Sequence, residues 1–161
     1  MRLLLAAICA LVCASGAAAA TFNYTVATTS PVTVAGVTLN GVDQPTSFSI
    51  VSTVTYTGGQ NTAGWKVQAS ATTPTSGSNT LPALAVTGGS FVCASSCTTN
   101  PTNGITYPIT LTTTAQTIYN AAANTGRGTF TVTHALQLDY LANAFPGTYS
   151  STVTLTGSTG P

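Results

Sequence analysis

The chain has 161 residues, of which three are Lys or Arg and two are Asp or Glu, so its formal net charge is +1. Hydrophobic residues make up 43% of the chain. Disordered chains have a low hydrophobic content, so this composition favours a folded protein despite the small number of charges. So weak an electrostatic field makes nucleic acid, anionic lipid and polyanionic polymers poor candidates for partners recognised by charge.

The first twenty residues have the pattern of a secretory signal. Arg2 supplies a positive charge, LLLAAICALVCA is apolar but too short to cross a bilayer, and a run of alanines ends at Ala20. We therefore predict a signal peptide over residues 1–20, cleavage before Thr21 and an extracellular protein. The remaining residues, 21–161, suit one domain, and no later segment is long and apolar enough for a membrane span.

Beyond the signal, short segments of alternating apolar and polar residues recur between turns rich in Gly, Pro, Asn and Ser. In chain order the predicted strands are 21–28, 32–39, 46–56, 64–72, 83–92, 105–112, 128–140 and 148–156. Pro108 confines its strand to a sheet edge or delays its start. The segment IYNAAANTG differs, because three alanines before Gly126 predict one helical turn. About seven to nine short strands predict an all-β fold, an antiparallel immunoglobulin-like β-sandwich.

Threonine occurs 34 times, always after the predicted signal. It favours pleated strands whose outer faces carry hydroxyl groups. Such faces are either a binding surface made of hydroxyls and amides or a way to keep strands soluble without charge.

Two cysteines, Cys93 and Cys97, remain after the predicted signal. Two nearby thiols in an exported protein most simply form a disulfide, and we predict that pairing. Their spacing does not match the thioredoxin-like redox motif, and a metal site would need further ligands nearby. We therefore predict neither a metal nor another cofactor.

Five residues are candidates for contact with a glycan: Trp65, Lys66, Tyr107, Arg127 and Tyr149. Trp65 shares a strand face with Val67, so it is either a core aromatic or a platform on which a sugar stacks. Arg127 lies in a glycine-flanked loop, where it either satisfies nearby carbonyls or binds a ligand carboxylate. Tyr149 follows a Pro-Gly turn and resembles the tyrosine that ties a corner in immunoglobulin-like sandwiches.

Few residues are available for catalysis. His134, the only histidine, falls on the apolar face of its predicted strand, at the margin of the core, where its ring nitrogens would find local partners. Asp139 falls on the opposite face, and Asp43 lies in a turn where Asp commonly bonds its own backbone. A small hydrolase would need His134 to meet one of these acids in a cleft, and a glycosidase would need the two carboxylates to face each other. We therefore predict that the protein is not an enzyme.

Six segments, taken in order, resemble the WxL family of bacterial surface proteins in its short, Thr-rich forms. They are VTLNGVDQPTSFSI, NTAGWKVQASAT, LPALAVTGGSF, NGITYPIT, IYNAAANTGRGTF and GTYSSTVTLTGSTGP. The first Trp-x-Leu motif of the family corresponds to WKV at residues 65–67. In the second, Tyr149 and Pro161 keep the frame, and Leu155 stands where the family has Trp. The resemblance implies a cell-surface domain that binds cell-wall peptidoglycan non-covalently.

A second resemblance is to the spore-coat-U-like pilin subunits, which are also secreted sandwiches whose last strand begins with Gly-Thr-Tyr. It implies a structural subunit that polymerises by strand donation, with TFNYTVAT as the donor. The two resemblances imply different partners: cell-wall glycan in the first case and other surface proteins in the second.

Overall fold

The computed structural model describes residues 20–26, 32–33, 40–57 and 63–161. Apart from Ala20, the predicted signal peptide lies outside the described residues, and so does most of the predicted strand at 32–39. The described strands are β1 (Thr21–Val26), β2 (Val32–Thr33), β3 (Gln44–Thr57), β4 (Trp65–Ala71), β5 (Thr75–Ser76), β6 (Asn79–Thr80), β7 (Ala85–Thr99), β8 (Ile109–Thr110), β9 (Gln116–Ala121), β10 (Arg127–Tyr140), β11 (Ser150–Ser151) and β12 (Val153–Thr159).

The predicted all-β class is confirmed, since the described residues form antiparallel sheets in a sandwich-like arrangement and contain no helix. The largest sheet has the order β1-β3-β10-β7-β8, and a second has the order β12-β4-β9. A small sheet of two-residue strands has the order β2-β11-β5-β6. Strand β8, which starts just after Pro108, is an outer strand, as the proline predicts.

The core lies between the two larger sheets. Side chains of β10 alternate regularly between buried and partly exposed positions, and Phe130, Val132 and Leu136 are among the buried ones. From the other sheet, β4 buries Trp65 and Val67 on the face predicted from its alternation. Three of the outer positions of β10 carry Thr, and most of the others are polar, so both faces follow from the sequence.

The predicted helical turn at IYNAAANTG is wrong. Residues Gln116–Ala121 form strand β9, which pairs with β4 from Ala69↔Gln116 to Trp65↔Ala121. A turn follows, in which the Thr125 amide donates to the Ala122 carbonyl at 3.0 Å. Pairing with β4 outweighs the high intrinsic helix propensity of alanine, which tertiary contacts can override.

The predicted disulfide is confirmed. Cys93 and Cys97 are joined with an S–S distance of 1.99 Å and a Cα–Cα distance of 6.0 Å. Both lie in β7, which continues beyond its predicted end and pairs with β10 through irregular register near Thr129. The crosslinked segment therefore lies beside the first residues of β10.

Candidate ligand-binding clefts at the two ends of β10

A cleft opens at each end of β10. The arginine cleft has a volume of about 290 Å³, and its walls include Tyr56, Thr57, Ser96, Thr98, Arg127 and Thr129. The phenylalanine cleft has a volume of about 320 Å³, and its walls include Ser78, Asn79, Thr80, Leu141, Asn143 and Phe145. Antiparallel strands rise about 3.4 Å per residue, so the clefts are on the order of 40 Å apart along β10.

The phenylalanine cleft combines exposed apolar surface with uncharged polar groups. Phe145 is 65% exposed and Leu141 is 39% exposed. Asn143 and Ser78 are exposed beside them, and Asn79 is half-buried. An aromatic ring offers an apolar face, while amides and hydroxyls donate and accept hydrogen bonds. This pairing of groups suits a ligand that is itself part apolar and part hydroxylated.

Hydrogen bonds hold the backbone of the loop that carries Phe145. The Ala142 amide donates to Asp43 Oδ1 at 2.7 Å, and the Ala144 amide donates to the Leu141 carbonyl at 2.9 Å. The Tyr149 hydroxyl donates to the carbonyl of Phe145 itself at 2.9 Å. The sequence predicts that Asp43 bonds the backbone of its own turn, but in the structure its carboxylate accepts from a distant segment. The loop presents Phe145 to solvent from a fixed backbone.

Tyr149 is the anchor of this loop and does not lie on its surface. It is fully buried and packs edge-on against Tyr140, with ring centroids 5.9 Å apart. Its bond to the Phe145 carbonyl is the backbone tie predicted from the Pro-Gly-Thr-Tyr sequence. Because the ring is covered, Tyr149 offers no surface for a glycan and acts by positioning Phe145.

The sequence left two roles open for Trp65, a core aromatic or a platform for a sugar, and the structure shows the core aromatic. Its side chain is fully buried and stacks on Tyr119, with ring centroids 5.7 Å apart. Its indole Nε1–H donates to the Gly126 carbonyl at 2.9 Å. The indole therefore supports the residue next to Arg127 and presents no face on which a sugar can stack.

Arg127 begins β10 at the wall of the arginine cleft and is half-buried. Its backbone amide donates to Thr99 Oγ1 at 3.2 Å. Its side-chain Nε is buried and has no hydrogen-bond partner among the described residues. Of the two roles open to Arg127 in the sequence, bonding to carbonyls is therefore not filled by Nε in the described part of the chain.

Lys66 and Tyr107 lie apart from both clefts. The Lys66 ammonium donates to the Pro161 carbonyl at 3.4 Å at the surface of β4. The Tyr107 hydroxyl donates to the Ile118 carbonyl at 2.6 Å and accepts from Asn103 at 3.1 Å. Burial raises the pKa of Tyr107. The five residues chosen from the sequence therefore do not form one site.

His134 lies in the core and not at its margin. Its side chain is fully buried, Nε2 lies 3.1 Å from Ser52 Oγ, and Nδ1 has no partner among the described residues. Burial lowers the pKa of His134 to about 4. It pairs with Ile50, five positions from the pairing of Asp139 with Pro45, so the structure does not bring His134 and Asp139 together.

Phe145, Asn143 and Asn79 were missed by reasoning from the sequence. Phe145 lies in LANAFPGTY, between the end of a predicted strand and a Pro-Gly turn. A large aromatic outside any alternating segment has no predicted core face to occupy. That absence of a core face is the one signal that points to Phe145.

The chain matches no protein-family model, no curated protein and no solved structure. In the part of the chain that the structure describes, no helix has the length and apolar character to cross a membrane. The same residues contain no group of three or more His, Cys, Asp or Glu side chains placed to hold a metal ion.

Proposed function

We propose that the protein is a secreted, non-enzymatic domain of the bacterial cell surface that binds cell-wall peptidoglycan non-covalently through the phenylalanine cleft. The observation that carries the proposal is the 65% exposure of Phe145 in a cleft with Asn143 and Asn79. Sugar rings have an apolar face of C–H groups and a rim of hydroxyls. Phe145 matches the face, and the amides match the rim.

The polar groups of this cleft suit an amide-bearing glycan. Side-chain amides have one acceptor oxygen and two donor hydrogens, so Asn79 and Asn143 can bond hydroxyls and acetamido groups alike. Leu141 extends the apolar surface beside Phe145. None of the cleft residues is charged, so recognition rests on apolar contact and neutral hydrogen bonds. Binding of this kind is expected to change little with salt.

Co-sedimentation with purified cell-wall sacculi tests the proposal. The wild-type protein is expected in the pellet at both low and high salt. Phe145→Ala removes the stacking ring and is expected to weaken binding about tenfold, the equivalent of roughly 1.4 kcal/mol. Phe145→Trp keeps an aromatic face and is expected to bind as the wild type does.

Val92→Ala is the matched control, because Val92 is 68% exposed but lies in β7, far from this cleft. It is expected to bind as the wild type does. Recovery of the wild-type protein in the supernatant at both salt concentrations would refute wall binding. Equal binding by Phe145→Ala and Val92→Ala would show that the wall is bound elsewhere.

A structural subunit assembled by strand donation is the second candidate, and the position of β1 favours it. Strand β1 is an outer strand, paired with β3 from Thr21↔Thr57 to Val26↔Ser52. Another copy's β1 could form the same backbone pairs. Multimer ladders on a non-denaturing gel that disappear on deletion of Thr21–Val26 would support this function. A monomer at high concentration would contradict it.

A further inference from the structure

We propose that the arginine cleft is a second binding site, specific for a sugar acid, in which Arg127 binds the carboxylate and hydroxyls of the facing wall bind the ring. This inference does not depend on glycan binding at the phenylalanine cleft. It rests on three features: a guanidinium whose buried Nε has no described partner, a backbone that holds it in place and a hydroxyl-bearing wall.

The first feature is the unpartnered Nε of the Arg127 guanidinium. Arginine stays charged at all relevant pH values and carries five N–H donors in a planar fork suited to a carboxylate. Arg127 is half-buried, and its Nε is buried without a hydrogen-bond partner among the described residues. Buried polar groups in native proteins are normally hydrogen-bonded. A ligand carboxylate would supply the missing acceptor and the opposite charge.

The described acids of the chain cannot supply that charge from within. Asp139 lies twelve positions further along β10, where its carboxylate accepts from Gln137 Nε2 at 2.8 Å. Asp43 accepts from the Ala142 amide beyond the far end of the same strand. Both carboxylates are therefore at the other end of the molecule, and none of the residues lining the arginine cleft is acidic.

The second feature is the fixed backbone on both sides of Arg127. Gly126 has a φ of +68° and donates its amide to the Asn100 carbonyl at 3.2 Å, and its carbonyl accepts from Trp65 Nε1. Gly128 has a φ of +134° and lies so close to the disulfide segment that a Cβ there would be 2.5 Å from Cys97 Cα. The Arg127 backbone is thus held before any ligand arrives, which lowers the entropy cost of binding.

The third feature is the chemistry of the opposite wall. Ser96 and Thr98 are exposed and project from the disulfide-linked part of β7, and Thr57 is exposed at the end of β3. Ser96 has a φ of +53°, which turns the chain within the Cys93–Cys97 segment. Hydroxyls that face an arginine favour a ligand with both a carboxylate and hydroxyls. A cleft of about 290 Å³ has room for one sugar ring.

Isothermal titration calorimetry of the full chain with sodium glucuronate tests the proposal, with glucose and sodium acetate as the matched probes. Glucose keeps the ring and lacks the carboxylate, whereas acetate keeps the carboxylate and lacks the ring. We expect measurable binding of glucuronate that weakens as salt is raised, and at least tenfold weaker binding of both other probes.

Arg127→Gln is expected to abolish glucuronate binding, and Arg127→Lys to weaken it about tenfold because the planar fork is lost. Lys66→Gln removes the same charge at a site that does not line the cleft and is expected to leave binding unchanged. Ser96→Ala changes an exposed side chain, so it keeps the fold intact, and it is expected to weaken binding a few-fold.

Absence of glucuronate binding by the folded wild-type protein would overturn the proposal. So would acetate binding as tight as glucuronate binding, or equal losses in Arg127→Gln and Lys66→Gln. Phe145→Ala separates this site from the proposed function. It is expected to bind glucuronate normally whether or not it sediments with sacculi, so failure of one proposal leaves the other to be judged independently.

Discussion

At its first residue, β10 carries Arg127 between two glycines, pinned by Trp65 on one side and by the disulfide segment on the other. At its far end the same strand runs into a loop that exposes Phe145. The glycine of that loop, Gly147, faces the side chain of Ser76. Arg127 and Lys66 lie toward the first end, and Asp43 and Asp139 toward the second. One strand thus joins a rigid cationic cleft to an apolar cleft near two carboxylates, and the two ends suit different ligands.

The largest expected effect compares one glycine from each end. Gly128→Ala puts a methyl group against the Cys97 backbone at a φ of +134°, and we expect it to lower the free energy of unfolding by about 4 kcal/mol. Gly147→Ala meets only the Ser76 side chain, whose Oγ can rotate away and whose Cβ lies at 3.3 Å, so we expect a loss below about 1 kcal/mol. Urea unfolding at pH 7 measures both. Equal losses would mean that the arginine end is no more rigid than the other.

The next effect concerns the middle of β10, where His134 is buried. The unfolded chain takes up a proton on this histidine below a pH of about 6.5, whereas in the folded protein burial holds its pKa at about 4. Protonation therefore favours the unfolded state as the pH falls from 6.5 to 4. The free energy of unfolding is expected to drop by about 3 kcal/mol as the pH falls across that interval. Above a pH of about 6.5, His134 is expected to make no contribution to the pH dependence.

His134→Gln is the control for this pH dependence. It keeps a polar group near Ser52 and has no titrating ring, so the difference between wild type and variant isolates His134 from the carboxylates. The two proteins are to be unfolded in urea at pH 4, 5, 6 and 7. Parallel pH profiles of the two proteins would contradict the role of His134. Trp65 fluorescence and circular dichroism are to be followed together. Separate unfolding transitions for these two signals would show that the two ends unfold independently.

The smallest effect concerns the tie at the phenylalanine end. Tyr149→Phe removes the hydroxyl that donates to the Phe145 carbonyl, and we expect a loss of about 1 kcal/mol in the free energy of unfolding. Sedimentation with sacculi is expected to weaken a few-fold, because the loop keeps its sequence but loses an anchor. Glucuronate binding at the opposite end should be unchanged, and a change there would show that the two clefts are coupled.

Much of the fold follows from local patterns. The alternation in GTFTVTHALQLDY predicts 128–140, and β10 covers Arg127–Tyr140. Strand β9 escaped prediction because Ile118 and Tyr119 are both buried, where β4 and β9 shift register, and strict alternation is lost. The alanines after them then resemble a helical turn. An irregularity that depends on a partner strand leaves no period-two signal in its own sequence.

The clefts were harder to predict than the strands. Arg127 stood out because it lies between two glycines, and Tyr149 because it follows a Pro-Gly turn; the structure places one in a cleft and the other beneath one. The disulfide segment lies beside Arg127 because β7 pairs with β10. The paired residues Thr99 and Arg127 are 28 positions apart in the sequence. Such a meeting is set by strand order and register, which no local pattern encodes.

The length of β10 has a mechanical consequence. Its backbone is bonded to β3 from Gly128↔Tyr56 to Tyr140↔Gln44, and to β7 on its other side. A pull applied between the two ends of this strand acts along its own covalent backbone, which is already extended and is held straight by these hydrogen bonds, so the strand lengthens little. If both clefts hold ligands in a wall under tension, the force passes along the most extensively paired of the described strands, and the domain would resist extension as a tether.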